Sequence, residues 1–461
     1  MSLIKSISGI RGTIGGTPGQ NLTPQDIVEC TAAFGHWAKQ RFTRNTKVVI
    51  GRDARISGEM VSSLVVNTLL SLGIDVIDLG LSTTPTVEIA VPEAGAAAGI
   101  IITASHNPMQ WNALKFVNEK GEFISKQDGQ DVLDLIDSGK IQYAAIEDMG
   151  HYCKDNTYID KHIDKILRLD LVNRTAIRNR KFKIVVDCIN STGAISIPPL
   201  LKKLGCEFVL INENPTGYFA HNPEPLAENL VDLCQTVVSE KADLGIAVDP
   251  DVDRLALVSE NGELFGEEYT LVAVADYILG ITPGNTVSNL SSTRALRDVT
   301  EKHGMEYSAA AVGEVNVVTM MKATNAIIGG EGNGGIILPQ LHYGRDALVG
   351  IALFLSHLAL TGKTTSKLKA TYPDYTISKN KIQLTPEIDV DLILEKLEEK
   401  YANETLNKID GLKIEFLKDW VHLRKSNTEP IIRIYSESTN AKAANKLAAM
   451  IQKDVDEILG R

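Results

Sequence analysis

The sequence predicts an α/β protein of three tandem, related domains with mixed, largely parallel sheets and a C-terminal α+β domain, arranged around a central cleft. Three observations support this fold class. The 461 residues exceed a single hydrophobic core and suggest roughly three or four domains. The same succession of predicted strands occurs three times along the chain. This repeat is not found in the C-terminal part.

The repeat consists of three short apolar runs separated by helix-length segments, which is typical of βαβ connections and a buried parallel sheet. The third copy is weaker than the other two. The predicted strands are 47–51, 73–78 and 98–102 in the first copy, 183–187, 206–211 and 243–248 in the second, and 286–290, 305–308 and 326–328 in the third.

A polar loop follows the last strand of each copy. In open α/β sheets, ligands bind beyond the carboxyl ends of the strands, so three equivalent loops are expected to face one shared cleft. The loops are 103–108 (TASHNP), 249–254 (DPDVDR) and 330–335 (GEGNGG).

The last part of the chain has a different pattern. After residue 374 it becomes lysine-rich, with a polar helix predicted at 390–401, alternating strands at 412–416 and 431–435, and a final amphipathic helix carrying Leu447, Ile451, Val455 and Ile458. We therefore predict four domains with the boundaries 1–152, 153–256, 257–372 and 373–461.

Composition narrows the class of protein. The net charge of -11 argues against a nucleic-acid partner, because a phosphate backbone requires a basic surface. The longest nearly apolar stretch, 347–360, is too short to span a bilayer and is predicted to be a buried helix. Five widely spaced cysteines read as reduced thiols, and the first ten residues do not resemble a secretory signal. We expect a cytoplasmic protein without a membrane partner.

Asp249, Asp251 and Asp253 alternate directly after a predicted strand. Three carboxylates on one short loop suit a divalent hard cation such as Mg²⁺, which prefers oxygen ligands. The alternative is a solvated acidic turn, but three like charges this close are costly unless a cation offsets them.

Ser105 follows a predicted buried strand and precedes His106. A Ser–His pair is one interpretation, although adjacent side chains rarely meet and no Gly-x-Ser-x-Gly elbow is present. A second is a serine that carries a phosphoryl group beside the metal loop. A third is an N-capping serine in a strand-to-helix turn. Lys115 lies between apolar neighbours; it is either an acid or base with a lowered pKa or a surface lysine.

Two further segments are candidates for ligand binding. Glu331 and Asn333 lie in a loop of four glycines and could pair with sugar hydroxyls, although a flexible turn explains the same pattern. The segment 424–430 (RKSNTEP) precedes the strand with Arg433 and forms a plausible phosphate cradle, with an exposed hairpin as the alternative. An ATP-binding P-loop motif is not present.

Taken together and in this order, these loops resemble the α-D-phosphohexomutase superfamily over essentially the whole chain. The match comprises 8–12 (SGIRG), 103–108, 249–254, 330–335 and 424–430. The resemblance implies a reversible transfer of a phosphoryl group between the 6- and 1-positions of a hexose phosphate, primed by glucose or hexosamine 1,6-bisphosphate. It also implies a small-molecule partner and a monomer or homodimer.

The resemblance assigns roles to individual residues. Ser105 would carry the phosphoryl group and share one Mg²⁺ per active site with the three aspartates. Lys115, Arg11, His106 and Arg254 would complete the catalytic set. Glu331 and Asn333 would contact sugar hydroxyls, and the phosphate that does not react would be held by Arg424, Ser426, Asn427, Thr428 and Arg433.

The chain departs from the family pattern at the sugar loop, where Asn333 and Gly335 replace the usual serine and histidine, and at Glu314, where relatives often place a basic residue. These changes bear on sugar preference. The loop 103–108 is most similar to that of bacterial phosphoglucosamine mutases, so glucosamine 6-phosphate is the expected substrate, with phosphomannomutase/phosphoglucomutase activity as the alternative. An aspartyl-phosphate phosphatase that uses Asp249 or Asp251, and a non-catalytic sugar-phosphate sensor, are more distant hypotheses.

Overall fold

The computed structural model describes residues 2–6, 9–42, 46–383, 389–425 and 431–459. The chain divides into two compact units, of which the first contains residues 1–277 and 333–368 and the second contains 278–332 and 369–461. This division is coarser than the four predicted domains, whose boundaries stay a prediction. Within the described ranges, no helix is both long enough and apolar enough to cross a bilayer.

The strands in chain order are β1 (Ile4–Ser6), β2 (Gly9–Thr13), β3 (Lys47–Arg52), β4 (Asp75–Leu81), β5 (Ala98–Ile102), β6 (Trp111–Val117), β7 (Tyr152–Lys154), β8 (Lys183–Asp187), β9 (Glu207–Ile211), β10 (Leu244–Val248), β11 (Leu255–Ser259), β12 (Thr286–Asn289), β13 (Tyr307–Ala310), β14 (Ile328–Glu331), β15 (Gly335–Ile337), β16 (Thr376–Gln383), β17 (Thr405–Asn407), β18 (Leu412–Glu415), β19 (Trp420–Lys425) and β20 (Ile431–Ser438).

The helices in chain order are α1 (Pro24–Arg41), α2 (Gly58–Ser71), α3 (Thr84–Glu93), α4 (Lys126–Ser138), α5 (Tyr158–Arg168), α6 (Arg174–Arg180), α7 (Gly193–Leu204), α8 (Val231–Ser239), α9 (Glu267–Leu279), α10 (Ala295–Lys302), α11 (Glu314–Thr324), α12 (Ala347–Thr361), α13 (Thr365–Lys369), α14 (Val390–Lys400) and α15 (Ala441–Ile458). Two single 3₁₀ turns occur at Ile146–Asp148 and Ala227–Asn229.

The first unit contains two mixed sheets. The larger has the order β1-β2-β6-β5-β3-β4-β7. Strands β3, β4, β5 and β7 run parallel to one another. Each of β6, β2 and β1 is antiparallel to the strand before it in the series β5-β6-β2-β1. The smaller has the order β11-β10-β8-β9, in which only β11 is antiparallel to its neighbour. These mixed, largely parallel sheets confirm the predicted fold class.

Side chains of one strand pack on opposite faces of the larger sheet. Val48 and Ile50 of β3 lie in the cluster that α1 and α2 cover, whereas Val49 between them lies in the cluster formed with Val87 of α3. The strand is therefore buried on both faces, which explains why its sequence is a continuous apolar run and does not alternate.

The second unit contains a parallel arrangement of strands in the order β13-β12-β14. It also contains the sheet β16-β20-β19-β18-β17, in which every neighbouring pair is antiparallel. Helices α14 and α15 supply Ile393, Leu397, Ile451 and Val455 to the core against this sheet. This segment is the α+β part that the sequence predicts.

Helix α12 confirms the prediction of a buried helix at 347–360. Asp346 caps its first turn, accepting hydrogen bonds from the backbone N–H groups of Leu348 and Val349. Gly362 ends it in the left-handed region at a φ of 65°. The five cysteines all lie in the described ranges and form no disulfide there.

The structure corrects one alternative for the serine loop, residues 103–108. The loop does not precede a helix, because β5 leads through it into the antiparallel strand β6. The acidic loop lies in the same way between the antiparallel strands β10 and β11. An N-capping role for Ser105 is therefore wrong, and both loops lie at the end of a buried parallel strand.

Candidate active site

Ser105 is held by its backbone in the serine loop. Its φ of 49° lies in the left-handed region, which is uncommon for a non-glycine residue, and its side chain is nearly buried. The N–H of Ser105 donates to Thr103 Oγ1 at 2.9 Å, and the Thr103 hydroxyl donates to Asp53 Oδ2 at 2.6 Å. These bonds hold the strained turn in place.

All three guanidinium nitrogens of Arg55 donate hydrogen bonds, one to Asp53 and two to the serine loop and the start of β6. Nε donates to Asp53 Oδ2 at 3.0 Å, and the two Nη atoms donate to the carbonyl oxygens of Ser105, Asn107, Pro108 and Trp111 at 2.5 to 3.0 Å. The side chains of Arg55 and Asp53 are fully buried. The pair therefore fixes the backbone on both sides of Ser105.

The acidic trio, Asp249, Asp251 and Asp253, is fully buried at the end of β10. One carboxylate oxygen from each lies within 4.8 Å of the other two. Val252 adopts a φ of 62°, which is costly for a β-branched residue and turns the loop so that the carboxylates converge. A solvated acidic turn is excluded, because none of the three is solvated.

Asp249 joins the trio to the serine. Ser105 Oγ donates to Asp249 Oδ2 at 2.6 Å, while Oδ1 accepts the backbone N–H groups of Asp253 and Arg254 at 3.1 Å. Burial, together with the nearby charges of Asp253 and Asp251, raises the pKa of Asp249 well above its usual value. The trio is thus an electrostatically unfavourable arrangement that a cation would relieve.

Two carboxylate oxygens of the trio have no hydrogen-bond partner, while the others are paired. Asp251 Oδ2 accepts from Thr84 Oγ1 at 2.6 Å and Lys115 Nζ at 2.8 Å, and Asp253 Oδ2 accepts from Arg345 Nη2 at 2.6 Å. The Oδ1 atoms of Asp251 and Asp253 are buried without any hydrogen-bond partner. Two orphaned buried carboxylate oxygens beside an all-oxygen donor set fit a hard divalent cation.

Lys115 lies on β6 with only 14% of its side chain exposed, so the alternative of a surface lysine is wrong. The lowered pKa expected of a lysine beside a metal is not found in the metal-free chain. Burial acts to lower the pKa of Lys115, but the charges of Asp251 and Asp253 outweigh it and the net shift is upward. Lys115 therefore holds its proton 2.8 Å from Asp251 and 3.6 Å from Asp253.

Several cationic or basic side chains surround Ser105 and the trio. Arg254 Nε is buried without a hydrogen-bond partner, 4.0 Å from both Asp249 and Asp253. Burial and the charge of Arg254 lower the pKa of Arg11, which lies on β2. His106 Nδ1 lies 3.3 Å from Ser105 Oγ, and burial and Arg254 lower the His106 pKa well below its usual value, so the imidazole is neutral. Positive charge close to the nearly buried Ser105 hydroxyl favours an anionic ligand.

The two predicted sugar-binding residues lie in different local settings. Glu331 is the last residue of β14 and so is not in a loop; its Oε1 accepts from Asn289 Nδ2 at 2.8 Å and from the Gly313 N–H at 3.1 Å. Asn333 lies in the turn before β15, where its Oδ1 accepts the Gly335 N–H at 3.2 Å. Gly334 has a φ of 83°, and a Cβ there would lie 2.3 Å from the Leu255 carbonyl oxygen, so this turn requires glycine.

Arg424 and Arg433, the arginine pair, are cross-strand partners on β19 and β20. Side chains of directly opposed residues emerge on the same face of a sheet, so two guanidinium groups share one site. Arg424 Nε is buried without a hydrogen-bond partner. The other predicted phosphate ligands, Ser426, Asn427 and Thr428, lie outside the described residues, as does Ser8.

Sequence reasoning missed four residues of this region: Asp53, Arg55, Thr84 and Arg345. Each contacts the serine loop or the trio across more than 40 residues of sequence. A signal was available for Asp53 and Arg345, since the tripeptide Gly-Arg-Asp occurs both at 51–53, at the end of β3, and at 344–346, directly before α12.

We predict that Asp249→Asn stabilises the metal-free protein while weakening cation binding. The side-chain oxygen of asparagine can still accept hydrogen bonds from the N–H groups of Asp253 and Arg254. The substitution removes one of the three buried carboxylates that repel one another. The expected gain in unfolding free energy with EDTA is about 1 kcal/mol. Thermal unfolding with EDTA and with saturating Mg²⁺ measures both effects. A variant less stable than wild type in EDTA, with an undiminished Mg²⁺ response, would contradict a repulsive trio.

Comparison with known proteins identifies the family. Four families described as phosphoglucomutase/phosphomannomutase match in order: alpha/beta/alpha domain I at residues 3–142, domain II at 158–262, domain III at 266–375 and the C-terminal domain at 383–453. The "Phosphoglucomutase/phosphomannomutase" of Thermococcus kodakarensis is 35% identical over 97% of this chain and 98% of its own length.

Two further proteins with phosphohexomutase names are similar to nearly the whole chain. The "Phosphoglucosamine/phosphogalactosamine mutase" of Sulfurisphaera tokodaii is 30% identical over 99% of this chain and 100% of its own length. The crystal structure of a phosphoglucomutase/phosphomannomutase family protein from Burkholderia thailandensis superposes with a TM-score of 0.85, at 26% identity, over 98% of this chain and 97% of that one. The predicted superfamily and enzyme class are confirmed: the chain belongs to the phosphoglucomutase/phosphomannomutase family of phosphohexomutases.

Proposed function

We propose that this enzyme interconverts hexose 6-phosphates and hexose 1-phosphates through a phosphoserine at Ser105, with glucosamine phosphate as its preferred substrate. The observation that carries the mechanism is the 2.6 Å contact between Ser105 Oγ and Asp249, inside a buried acidic trio with two unpartnered carboxylate oxygens. A serine placed there can hold a phosphoryl group whose charge the site is built to offset.

The trio would hold one Mg²⁺ through Asp249, Asp251 and Asp253, together with an oxygen of the phosphoserine. Bound there, the ion would neutralise charge on the transferring phosphoryl oxygens. The orphaned Oδ1 atoms of Asp251 and Asp253 support this assignment, since each lacks the partner that a buried charged oxygen requires.

The forward half of the reaction would transfer the phosphoryl group from Ser105 to the free hydroxyl of the sugar phosphate. The bond between phosphorus and Ser105 Oγ breaks, a bond between phosphorus and the sugar oxygen forms, and the proton of the sugar hydroxyl passes to Ser105 Oγ, which restores the serine hydroxyl. The resulting 1,6-bisphosphate turns over and returns its other phosphoryl group to Ser105. Glucose or hexosamine 1,6-bisphosphate would prime the unphosphorylated enzyme in the same way.

The surrounding side chains would orient and stabilise this transfer. Lys115 would hold its proton against Asp251 and Asp253 and keep both carboxylates in place. Arg254, whose Nε has no hydrogen-bond partner, and Arg11 would bind phosphoryl oxygens as negative charge redistributes. His106 would donate or accept a hydrogen bond at Ser105 Oγ as a neutral ring.

The arginine pair would hold the phosphate that does not react. Two arginines directly opposite on neighbouring strands repel each other unless an anion lies between them, so their register supports an anion site. Ser426, Asn427 and Thr428 are proposed to complete it. Glu331 and Asn333 are proposed to contact the sugar hydroxyls.

The preference for glucosamine phosphate draws on the form of the serine loop and on the name of the Sulfurisphaera tokodaii relative. Phosphomannomutase/phosphoglucomutase activity is the second candidate, because the Thermococcus kodakarensis relative carries that name at 35% identity. Both candidates use the same chemistry at Ser105 and differ only in the sugar hydroxyls and amine that are contacted.

The test compares turnover of glucosamine, galactosamine, mannose and glucose phosphates by the full-length enzyme with Mg²⁺ and a bisphosphate primer. We expect the highest kcat/KM with glucosamine phosphate. A wide margin in favour of mannose or glucose phosphate would overturn the substrate assignment while leaving the phosphoserine mechanism intact. Absence of turnover on every hexose phosphate would overturn the proposed function as a whole.

A further inference from the structure

A second group of metal-ligating side chains lies in the first unit, apart from the acidic trio. It consists of His162 on α5, His342 in the segment before α12, and Asp346, the N-cap of α12. One ligand atom from each lies within 4.8 Å of the other two. The side chains of His162 and Asp346 are fully buried and that of His342 is 8% exposed.

Without an ion these atoms are hydrogen-bonded to one another, and an additional separation of about half an ångström between His162 and Asp346 would make room for one small cation. Asp346 Oδ2 lies 2.8 Å from His162 Nε2 and 3.3 Å from His342 Nε2. A tetrahedral Zn²⁺ binds nitrogen and carboxylate oxygen at about 2.0–2.2 Å, which places its ligand atoms about 3.3 Å apart. The two imidazole rings are nearly perpendicular, at 88°, with centroids 6.2 Å apart, so they approach the common point from different directions.

The remaining polar atom of each ligand already has a neighbour, as in the outer shell of protein zinc sites. His162 Nδ1 lies 3.0 Å from Thr86 Oγ1, and His342 Nδ1 lies 3.3 Å from Glu88 Oε2. Asp346 Oδ1 accepts two backbone N–H groups at the start of α12. A carboxylate or hydroxyl at Nδ1 favours the tautomer that leaves Nε2 free to bind a metal.

Asp346 and Glu88 are both buried, and two carboxylates in an apolar interior require compensating positive charge. Without an ion, protonated His342 supplies part of it. Burial acts to lower the pKa of His342, but Asp346 and Glu88 outweigh burial and raise that pKa to about 9. A divalent ion would replace that proton and leave both imidazoles neutral. Glu88 also packs against Gly344, where a Cβ would lie 1.8 Å from Oε2, so the backbone there is shaped around this carboxylate.

We propose that His162, His342 and Asp346 bind a divalent transition metal ion, with Zn²⁺ the best match to two imidazole nitrogens and one carboxylate oxygen. The site is distinct from the acidic trio, whose donors are all oxygen.

The ion would support the active site without touching the substrate. Arg345 precedes the proposed ligand Asp346 in the sequence, and its Nη2 donates to Asp253 Oδ2 of the trio at 2.6 Å. The Ala347 N–H donates to the Val252 carbonyl oxygen at 3.2 Å. Fixing the start of α12 therefore fixes the neighbouring side of the acidic loop. His162, His342 and Asp346 are positioning residues in this sense.

The test uses the full-length enzyme stripped with EDTA and then titrated with Zn²⁺ or Co²⁺, followed by metal analysis and thermal unfolding. We expect one tightly bound Zn²⁺ per chain, a rise in Tm that Mg²⁺ does not reproduce, and the intense visible absorption of tetrahedral Co²⁺. His342→Gln should weaken Zn²⁺ binding at least about 10-fold, and Glu88→Gln by about 10- to 100-fold.

Two variants separate the sites. Asp251→Asn, which alters the acidic trio, should keep the tight Zn²⁺, and so should His357→Gln, which removes a buried histidine of α12 outside the group. If wild type binds no Zn²⁺ tightly, or if Asp251→Asn loses the ion while His342→Gln keeps it, the proposal is overturned. The group is then a metal-free hydrogen-bonded network. Should His342→Gln fail to fold, the Co²⁺ spectrum of wild type decides between these outcomes.

Discussion

Ser105→Ala is expected to lower hexose phosphate turnover by at least about 10⁴-fold, a loss comparable to that caused by removing a covalent nucleophile in other enzymes. In the proposed mechanism the phosphoryl group is carried by the Ser105 hydroxyl, whose Oγ lies 2.6 Å from Asp249 Oδ2, and alanine removes that hydroxyl. The fold should be kept, because the backbone bonds from Ser105 to Thr103 and Arg55, which hold the left-handed turn, do not depend on the serine hydroxyl. Steady-state kinetics with Mg²⁺ and bisphosphate primer measure the loss.

Ser82→Ala is the matched control for this substitution. Ser82 is also buried in the first unit, and its hydroxyl has no hydrogen-bond partner, so its removal should leave turnover unchanged. Full activity in Ser105→Ala would exclude the phosphoserine route and revive the aspartyl-phosphate hypothesis. Equal losses in both variants would show that the effect is general destabilisation.

Arg55→Met should produce the largest loss of stability among single substitutions near the active site. It removes every hydrogen bond from the guanidinium to the serine loop and leaves Asp53 as a buried charge without its partner. Breaking a buried ion pair from one side costs about 3–5 kcal/mol. The fraction that folds should also lose about 10²-fold in kcat, because displacement of Ser105 by roughly 1 Å is enough for such a loss.

Three comparisons show whether Arg55 acts by positioning the loop. Arg52→Met removes an ion pair with the exposed Glu59 and one hydrogen bond to the Asp53 carbonyl oxygen, and should cost about 1 kcal/mol. Adding Asp53→Asn to Arg55→Met should recover part of the stability, since it removes the unpaired charge, but should not restore kcat. KM for the sugar phosphate should stay near the wild-type value. A variant with lowered stability and normal kcat would make Arg55 a structural residue only.

The repeated strands could be predicted because parallel strands buried on both faces must be continuous apolar runs. The structure places all nine, with ends shifted by up to three residues, as in Asp75–Leu81 for the predicted 73–78. The antiparallel strands β6 and β11 were not predicted, although apolar runs follow both polar loops. Each pairs antiparallel with the strand directly before it, and this reversal of direction depends on the geometry of the polar loop, which local periodicity does not encode.

In the active site, too, local sequence patterns could be predicted and contacts made by folding could not. Ser105 and the acidic trio stand out because serine and alternating aspartates are unusual directly after a buried strand. The pKa of Lys115 could not be predicted, since its sign depends on whether burial or the carboxylates of Asp251 and Asp253 dominate. Arg55, Thr84 and Arg345 act through contacts that only the folded chain creates.

The most direct test of the account is the location of the phosphoryl group on the enzyme. Full-length protein incubated with glucosamine 1,6-bisphosphate and Mg²⁺ is digested and analysed by mass spectrometry. We predict one phosphoryl group per chain, on the peptide that contains Ser105, stable to hydroxylamine as a phosphate ester is. A hydroxylamine-sensitive acyl phosphate on Asp249 or Asp251, with Ser105 unmodified, would contradict the account.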